Sequence, residues 1–213
     1  ALELSNQLKA IYPYKNIIHF PEWDCLPYDR VTPAPYISAA RLDGLIKLSN
    51  HSSNFVVVAT PGAILQRVMP KSILQGVSDS LSLGKNFPMT DLIKILLSNG
   101  YQRRECVYEQ GDFAVRGGIL DVFPSHAPEP VRIDYFGDEI ESLRVFDVDT
   151  QKTKSSLTQF SIFPSKEVIL NEDTIGRFRQ GYREAFGLEA KGVQNDPLFL
   201  CVNEGRYFPG LEH

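Results

Sequence analysis

The spacing of apolar residues changes twice along this chain. From residue 1 to about 76, helical and extended patterns alternate. Leu4, Leu8 and Ile11 recur at helical spacing in ALELSNQLKAIYP, NIIHF (16–20) reads as a strand, and a second helix is predicted from about Ser38 to Leu48. NFVVVAT is a continuous valine-rich run of the kind found in strands covered on both faces. Thr60 and Pro61 then cap a predicted helix in PGAILQRVM. This alternation predicts an α/β block on a parallel sheet.

Near Gly76 the rhythm changes. Residues 81–83 read as a short strand, and MTDLIKILLSNGY reads as a whole helix. Thr90 is its expected N-cap, Leu92, Ile93, Leu96 and Leu97 its apolar stripe, and Gly100 its stop. Strands dominate from there to about 164, with tight turns predicted at Gln110-Gly111 and Gly137-Asp138. Helices then return. Ile175, Phe178, Tyr182 and Phe186 mark one, and DPLFLCVNEG gives another, with Asp196 as cap, Pro197 in the first turn and Gly205 at the end. No internal repeat or low-complexity stretch interrupts this order.

The second hairpin offers a choice of register. A two-residue loop pairs Ile133 with Ser142 and Val131 with Arg144, whereas a three-residue loop pairs Ile133 with Leu143 and Val131 with Val145. The second register sets like beside like. It leaves Arg132, Asp134 and Phe136 on the opposite face, beside Ile140, Ser142, Arg144 and Phe146. An aromatic among guanidiniums on the wet side of a sheet is either an ordinary solvated face or the composition of a binding hot spot.

Composition narrows the classes. The chain has 213 residues, 43% of them apolar, enough for a sizeable core. Its 22 basic and 26 acidic residues give a net charge of -4, which argues against wrapping nucleic acid through the overall field. Cys25, Cys106 and Cys201 are odd in number and far apart, supporting neither a disulfide framework nor a zinc ribbon, and a reducing, cytoplasmic setting fits them. No apolar run approaches the roughly 18 to 20 residues that cross a bilayer, and the opening residues do not show a basic-apolar-small leader pattern. Opening within a helix and stopping just after a turn are expected of a piece of a longer protein. The closing LEH is also what a vector-derived tail leaves.

Catalytic chemistry finds little support. There is no phosphate-cradling G-x-x-x-x-G-K-[ST] loop and no G-x-S-x-G elbow. His19, His51, His126 and His213 lack metal-ligand spacing, and His19 reads as a core residue of its strand. Asp121 and Asp134 read as solvated or salt-bridged carboxylates more readily than as an acid–base pair. In FPEWDCLPYDRVTP, Trp23 and Tyr28 are expected to fill the sheet edge, with a remnant of a DNA-contacting loop as the sharper reading.

FPEWDCLPYD, RLDGLIKL, VVVATPGAILQRVMP and above all YEQGDFAVRGGILDVFPS followed by PVRIDYFGDEIESLRVFD carry a resemblance. They resemble the N-terminal part of the bacterial transcription-repair coupling factors, the part homologous to UvrB of nucleotide excision repair. The resemblance implies a degenerate helicase (RecA-like) α/β domain at 1–76, an inserted α+β, strand-rich UvrA-binding domain at 77–164, and a truncated return segment at 165–213. It also implies recruitment of UvrA by Arg116 in VRGG, by Arg132 in PVRIDYF and by Phe136; the register reasoning adds Arg144 on the same face. The fragment itself is expected to be non-catalytic and without cofactor. ATP, magnesium, DNA and RNA polymerase are expected at other parts of a parent resembling an ATP-dependent DNA translocase. A UvrB-type fragment binding DNA and nucleotide is the alternative, opposed by the lack of chain for a long aromatic hairpin between the first strand and the next helix.

Overall fold

The computed structural model describes residues 1–26, 29–50, 54–76, 79–187 and 195–212, and the fold is mixed α/β. Tyr28, His51 and His213, singled out above, lie outside the described residues. Helix α1 (Leu2–Ile11) leads into strand β1 (Asn16–Phe20), helix α2 (Pro35–Asn50) and strand β2 (Phe55–Ala59). The strands pair in parallel, from Asn16 opposite Phe55 to Phe20 opposite Ala59, as the alternating pattern requires. Leu42 and Ile46 of α2 are buried, as are Ile17, Ile18 and Phe20 of β1.

Three expectations for this block are corrected. Leu4 and Ile11 of α1 are exposed, and Ser5 is the residue that the helix buries. Phe55, Val56 and Val57 are exposed as well, because among the described residues β2 has only β1 beside it and few groups across its faces. His19 is half-buried instead of lying in the core, and burial still lowers its pKa. The expected Thr60 cap is present: its hydroxyl accepts the Ala63 N–H at 3.2 Å. Helix α3 (Pro61–Leu65) nevertheless stops early, with Gln66 extended, before helix α4 (Lys71–Gly76) starts.

Strand β3 (Asp79–Ser82) is followed by helix α5 (Met89–Ser98) and the short strand β4 (Gln102–Arg103). The N-cap of α5 is Pro88, with no side-chain cap, and Thr90 sits inside the helix. Leu92 and Leu96 are buried and Leu97 is exposed. Gly100, at φ +84°, lets the Tyr101 N–H return to the Leu96 carbonyl at 3.0 Å and ends the helix. Strands β5 (Asp112–Arg116), β6 (Ile119–Val122), β7 (Val131–Phe136), β8 (Glu139–Phe146) and β9 (Thr153–Ser156) complete a six-stranded sheet in the order β4-β5-β6-β7-β8-β9. Strand β10 (Gln159–Ile162) pairs antiparallel with β3.

The turn expected at Gln110-Gly111 does not make a hairpin. The Asp112 carboxylate accepts the N–H groups of Tyr108 and Glu109, at 3.3 and 3.1 Å, and coils that stretch. Strand β5 therefore has β4 as a parallel neighbour, and its hairpin partner is β6 across Gly117-Gly118. The β7–β8 hairpin has the register chosen from the sequence, Val131 opposite Val145 and Ile133 opposite Leu143. A bulge then shifts the pairing, so that Tyr135 faces Ile140 and Phe136 faces Glu139, leaving Glu141 unmatched. Ile140 consequently points into the core and not to the outer face where it was expected. Phe113, Leu120, Ile133, Ile140 and Leu143 pack with Leu81, Leu92, Leu96 and Ile162 in one core.

The chain returns through residues 163–170 to helices α6 (Glu172–Phe186) and α7 (Pro197–Asn203). Asn171 and Thr174 form a reciprocal capping box on α6, and Asp196 caps α7. Arg41 of α2 is fully buried where this return meets the first block. Its Nε and Nη2 donate to Glu167 at 2.6 and 3.2 Å, and its Nη1 to the Pro21 carbonyl and Gln66 Oε1 at 2.8 and 2.9 Å. Trp23 is packed, as expected of it, and its Nε1 donates to the same Glu167 at 3.0 Å.

A candidate partner-binding face on the six-stranded sheet

Strand pairing fixes what shares the outer face. Arg116 lies opposite Ile119, Ile119 opposite Asp134, and Asp134 opposite Ser142; one step along, Ala114 lies opposite Asp121, Asp121 opposite Arg132, and Arg132 opposite Arg144. One end of this face is closed by a second small core of Val107, Ala114, Phe123 and Phe146. The other end, carrying Arg116, Ile119, Phe136 and Arg144, is open.

Arg132 sits where the closed part begins. Its guanidinium lies over the buried Phe146 ring, 4.5 Å from the centroid, and its side chain is only 17% exposed. Nε and Nη2 donate to the two Asp121 oxygens at 2.7 and 2.8 Å, a planar fork on a carboxylate, and Nη2 also reaches Gln151 Oε1 at 3.1 Å. The bond to Asp121 outweighs burial and raises the arginine's pKa, so the charge is fixed.

Arg116 is bound loosely by comparison. Half of its side chain is exposed, and its nearest groups are Asp121 Oδ2 at 3.8 Å and the Cys106 sulfur at 3.5 Å. Arg144 is 37% exposed and donates to Asp134 at 2.5 Å, while its Nε is buried without an acceptor among the described residues. The Ser142 hydroxyl donates to the same Asp134. Both aspartates therefore serve as counter-ions, not as an acid–base pair.

Phe136 is 79% exposed, yet its backbone is not loose. The Phe87 N–H donates to the Asp138 carbonyl at 2.8 Å, Gly84 N–H to the Ile140 carbonyl at 2.8 Å, and Ile140 N–H to the Lys85 carbonyl at 3.0 Å. The Tyr135 N–H is held by the Gly118 carbonyl at 2.8 Å. The hairpin tip is thereby pinned on both sides, and a large apolar ring is displayed from a fixed strand end.

The fold thus brings Arg116 and Arg132 to one carboxylate and sets Phe136 and Arg144 on the same face. Sequence reasoning missed Asp121 as the shared counter-ion, and it missed Ile119. Pairing β5 with β6 across Gly117-Gly118 would have found both, since that turn puts Ile119 beside Arg116. No cluster of potential metal ligands occurs among the described residues. Nor is any described helix long and apolar enough to cross a membrane.

Residues 80–168, which hold this six-stranded sheet and the α5 helix that covers one of its faces, match the family model of the UvrB interaction domain. The whole chain is similar to transcription-repair-coupling factors, and the resemblance read from its motifs is real. It is 32% identical to that of Haemophilus influenzae over 215 residues, covering 100% of this chain and 18% of the relative. It is likewise 32% identical to that of Escherichia coli, with the same coverage, and 26% identical to that of Bacillus subtilis over 92% of this chain and 17% of the relative. The chain spans about a fifth of the length of these curated relatives.

Proposed function

We propose that this chain is a non-catalytic recruitment segment for transcription-coupled nucleotide excision repair, and that it docks UvrA through the open end of its outer sheet face. The observation that carries this reading is Phe136, exposed on a pinned strand end among Arg116, Arg132 and Arg144. Exposed aromatics with arginine are what interface hot spots contain, and a side chain held in place before binding loses little freedom on docking. Phe136 fills an apolar depression on UvrA, and guanidinium donors meet carboxylates around it.

The same reading gives the chain its layout. Residues 1–76 and 165–213 form part of a degenerate helicase-like α/β domain, supported by the parallel β1–β2 pair packed on α2. Residues 77–164 form the insert, supported by a core that runs from Leu81 to Ile162 and by the family match over 80–168. The parent is an ATP-dependent DNA translocase of the cytoplasm that meets RNA polymerase, DNA, ATP and magnesium elsewhere, a reading that rests on the family resemblance; the relatives' name supports its place in transcription-coupled repair, and the similarity runs along the whole of this chain and about a fifth of theirs.

Titrating UvrA with Phe136→Ala tests the docking. The variant should lose about 2 kcal/mol of binding, roughly thirtyfold in Kd, with an unchanged unfolding midpoint. Wild-type affinity in a folded Phe136→Ala chain would refute it.

A further inference from the structure

Two arginines share one buried carboxylate on this face, and they share it unequally. Asp121 is 3% exposed, so its two oxygens need partners within the protein. Arg132 supplies both, at 2.7 and 2.8 Å. Arg116 approaches Oδ2 only to 3.8 Å, too far for a hydrogen bond, and its other neighbour is a weak sulfur acceptor. The donors of Arg116 are thus largely unspent and half in solvent, whereas the fork of Arg132 is used up and clamped over Phe146.

We infer that Arg132 is a positioning residue: by occupying both Asp121 oxygens it keeps Arg116 free to receive an acidic group of the partner. This rests on the docking reading above and assigns different tasks to its two arginines. If the Arg132 side chain is removed, Asp121 is left buried and charged, with Arg116 as the nearest cation. Arg116 then closes onto Asp121, and the partner loses the guanidinium it would have bound. The damage from losing Arg132 therefore passes through Asp121. It disappears when Asp121 is also made neutral.

The test is UvrA titration of the full chain carrying Arg116→Ala, Phe136→Ala, Arg132→Ala, and Arg132→Ala with Asp121→Asn, each checked for folding by its thermal midpoint. Arg132→Ala should weaken binding by about tenfold or more, and the double variant should return to within about threefold of wild type. Adding Arg116→Ala should cost nothing further beside Arg132→Ala alone. It should abolish the recovery in the double variant, which distinguishes the release of Arg116 from a general repair of the fold. A folded double variant as weak as Arg132→Ala, or a recovery that survives Arg116→Ala, overturns the inference while leaving the docking reading intact. Wild-type binding by both Arg116→Ala and Phe136→Ala refutes the docking reading, and the inference falls with it. Should Arg132→Ala fail to fold, Arg132→Gln takes its place in every arm, since glutamine keeps one donor for Asp121.

Discussion

Two tyrosines show how far a single hydroxyl depends on its surroundings. Burial pushes the pKa of Tyr101 and of Tyr135 up to about 12, but only Tyr101 has partners. Its hydroxyl donates to the Phe163 carbonyl at 2.9 Å and accepts the Ser125 N–H at 3.3 Å, whereas the Tyr135 hydroxyl finds none among the described residues. Tyr101→Phe should therefore lower stability by about 1–2 kcal/mol in urea unfolding, and Tyr135→Phe should be neutral or slightly stabilising. Equal losses in the two variants would contradict this. His126 carries a pH dependence of the same origin. Burial is the main cause of its lowered pKa, so the folded protein prefers the neutral ring. The unfolded chain takes up the proton first as pH falls, so the histidine's contribution is whole above about 6.5 and declines below it. Urea midpoints between pH 8 and 5.5 should fall less for His126→Leu than for wild type. None of this was legible in the sequence, because Phe163 lies 62 positions from Tyr101 and nothing local marks it as an acceptor.

Single elements were more readable than their ends. The β7–β8 register followed from setting valine against valine, and it holds because one face of that hairpin is core. The bulge beside it was not readable, since either loop length satisfied part of the pattern. In α5 the buried Leu92 and Leu96 and the Gly100 stop were legible, but Leu97, expected in the same stripe, is exposed, and the cap was not legible, because Pro88 ends an extended approach without offering an oxygen. The valines of β2 spoke for cover on both faces, but a run of valines does not say which part of the chain provides it. Gly137 can be tested at this scale. At φ +63° it starts the two-residue turn, and a Cβ there meets no neighbouring atom, so Gly137→Ala suffers backbone strain alone. A loss of about 1–2 kcal/mol is expected, read as a lower thermal midpoint.

Across the whole molecule, the buried Arg41–Glu167 pair joins segments 126 positions apart. Glu167→Ala would leave Arg41 buried without its counter-ion, at a cost of about 3–5 kcal/mol. The loss should fall on the first block, since the core from Leu81 to Ile162 does not use this pair. Near-ultraviolet circular dichroism at Trp23, whose indole touches the same glutamate, should therefore melt below the far-ultraviolet signal of the sheet. Coincident transitions would argue for one cooperative unit. The change of rhythm near Gly76 and the packing of Trp23 were legible from composition and pattern. The partnership of Arg41 and Glu167 was not, because nothing local in RLDGLIKL marks its arginine as buried and its partner lies 126 positions away.

The unmatched Glu141 has a consequence for how this hairpin tolerates a change of length. Without it, Ile140 would still oppose Tyr135, Ser142 would still oppose Asp134, and Leu143 would still oppose Ile133, now in unbroken succession. A one-residue deletion at this position therefore exchanges no side chain between the two sides of the sheet and gives up only the extra local twist. Deleting Arg144 instead would, even with Glu141 taking up the lost length, turn Leu143 to the outer side and Ser142 to the core.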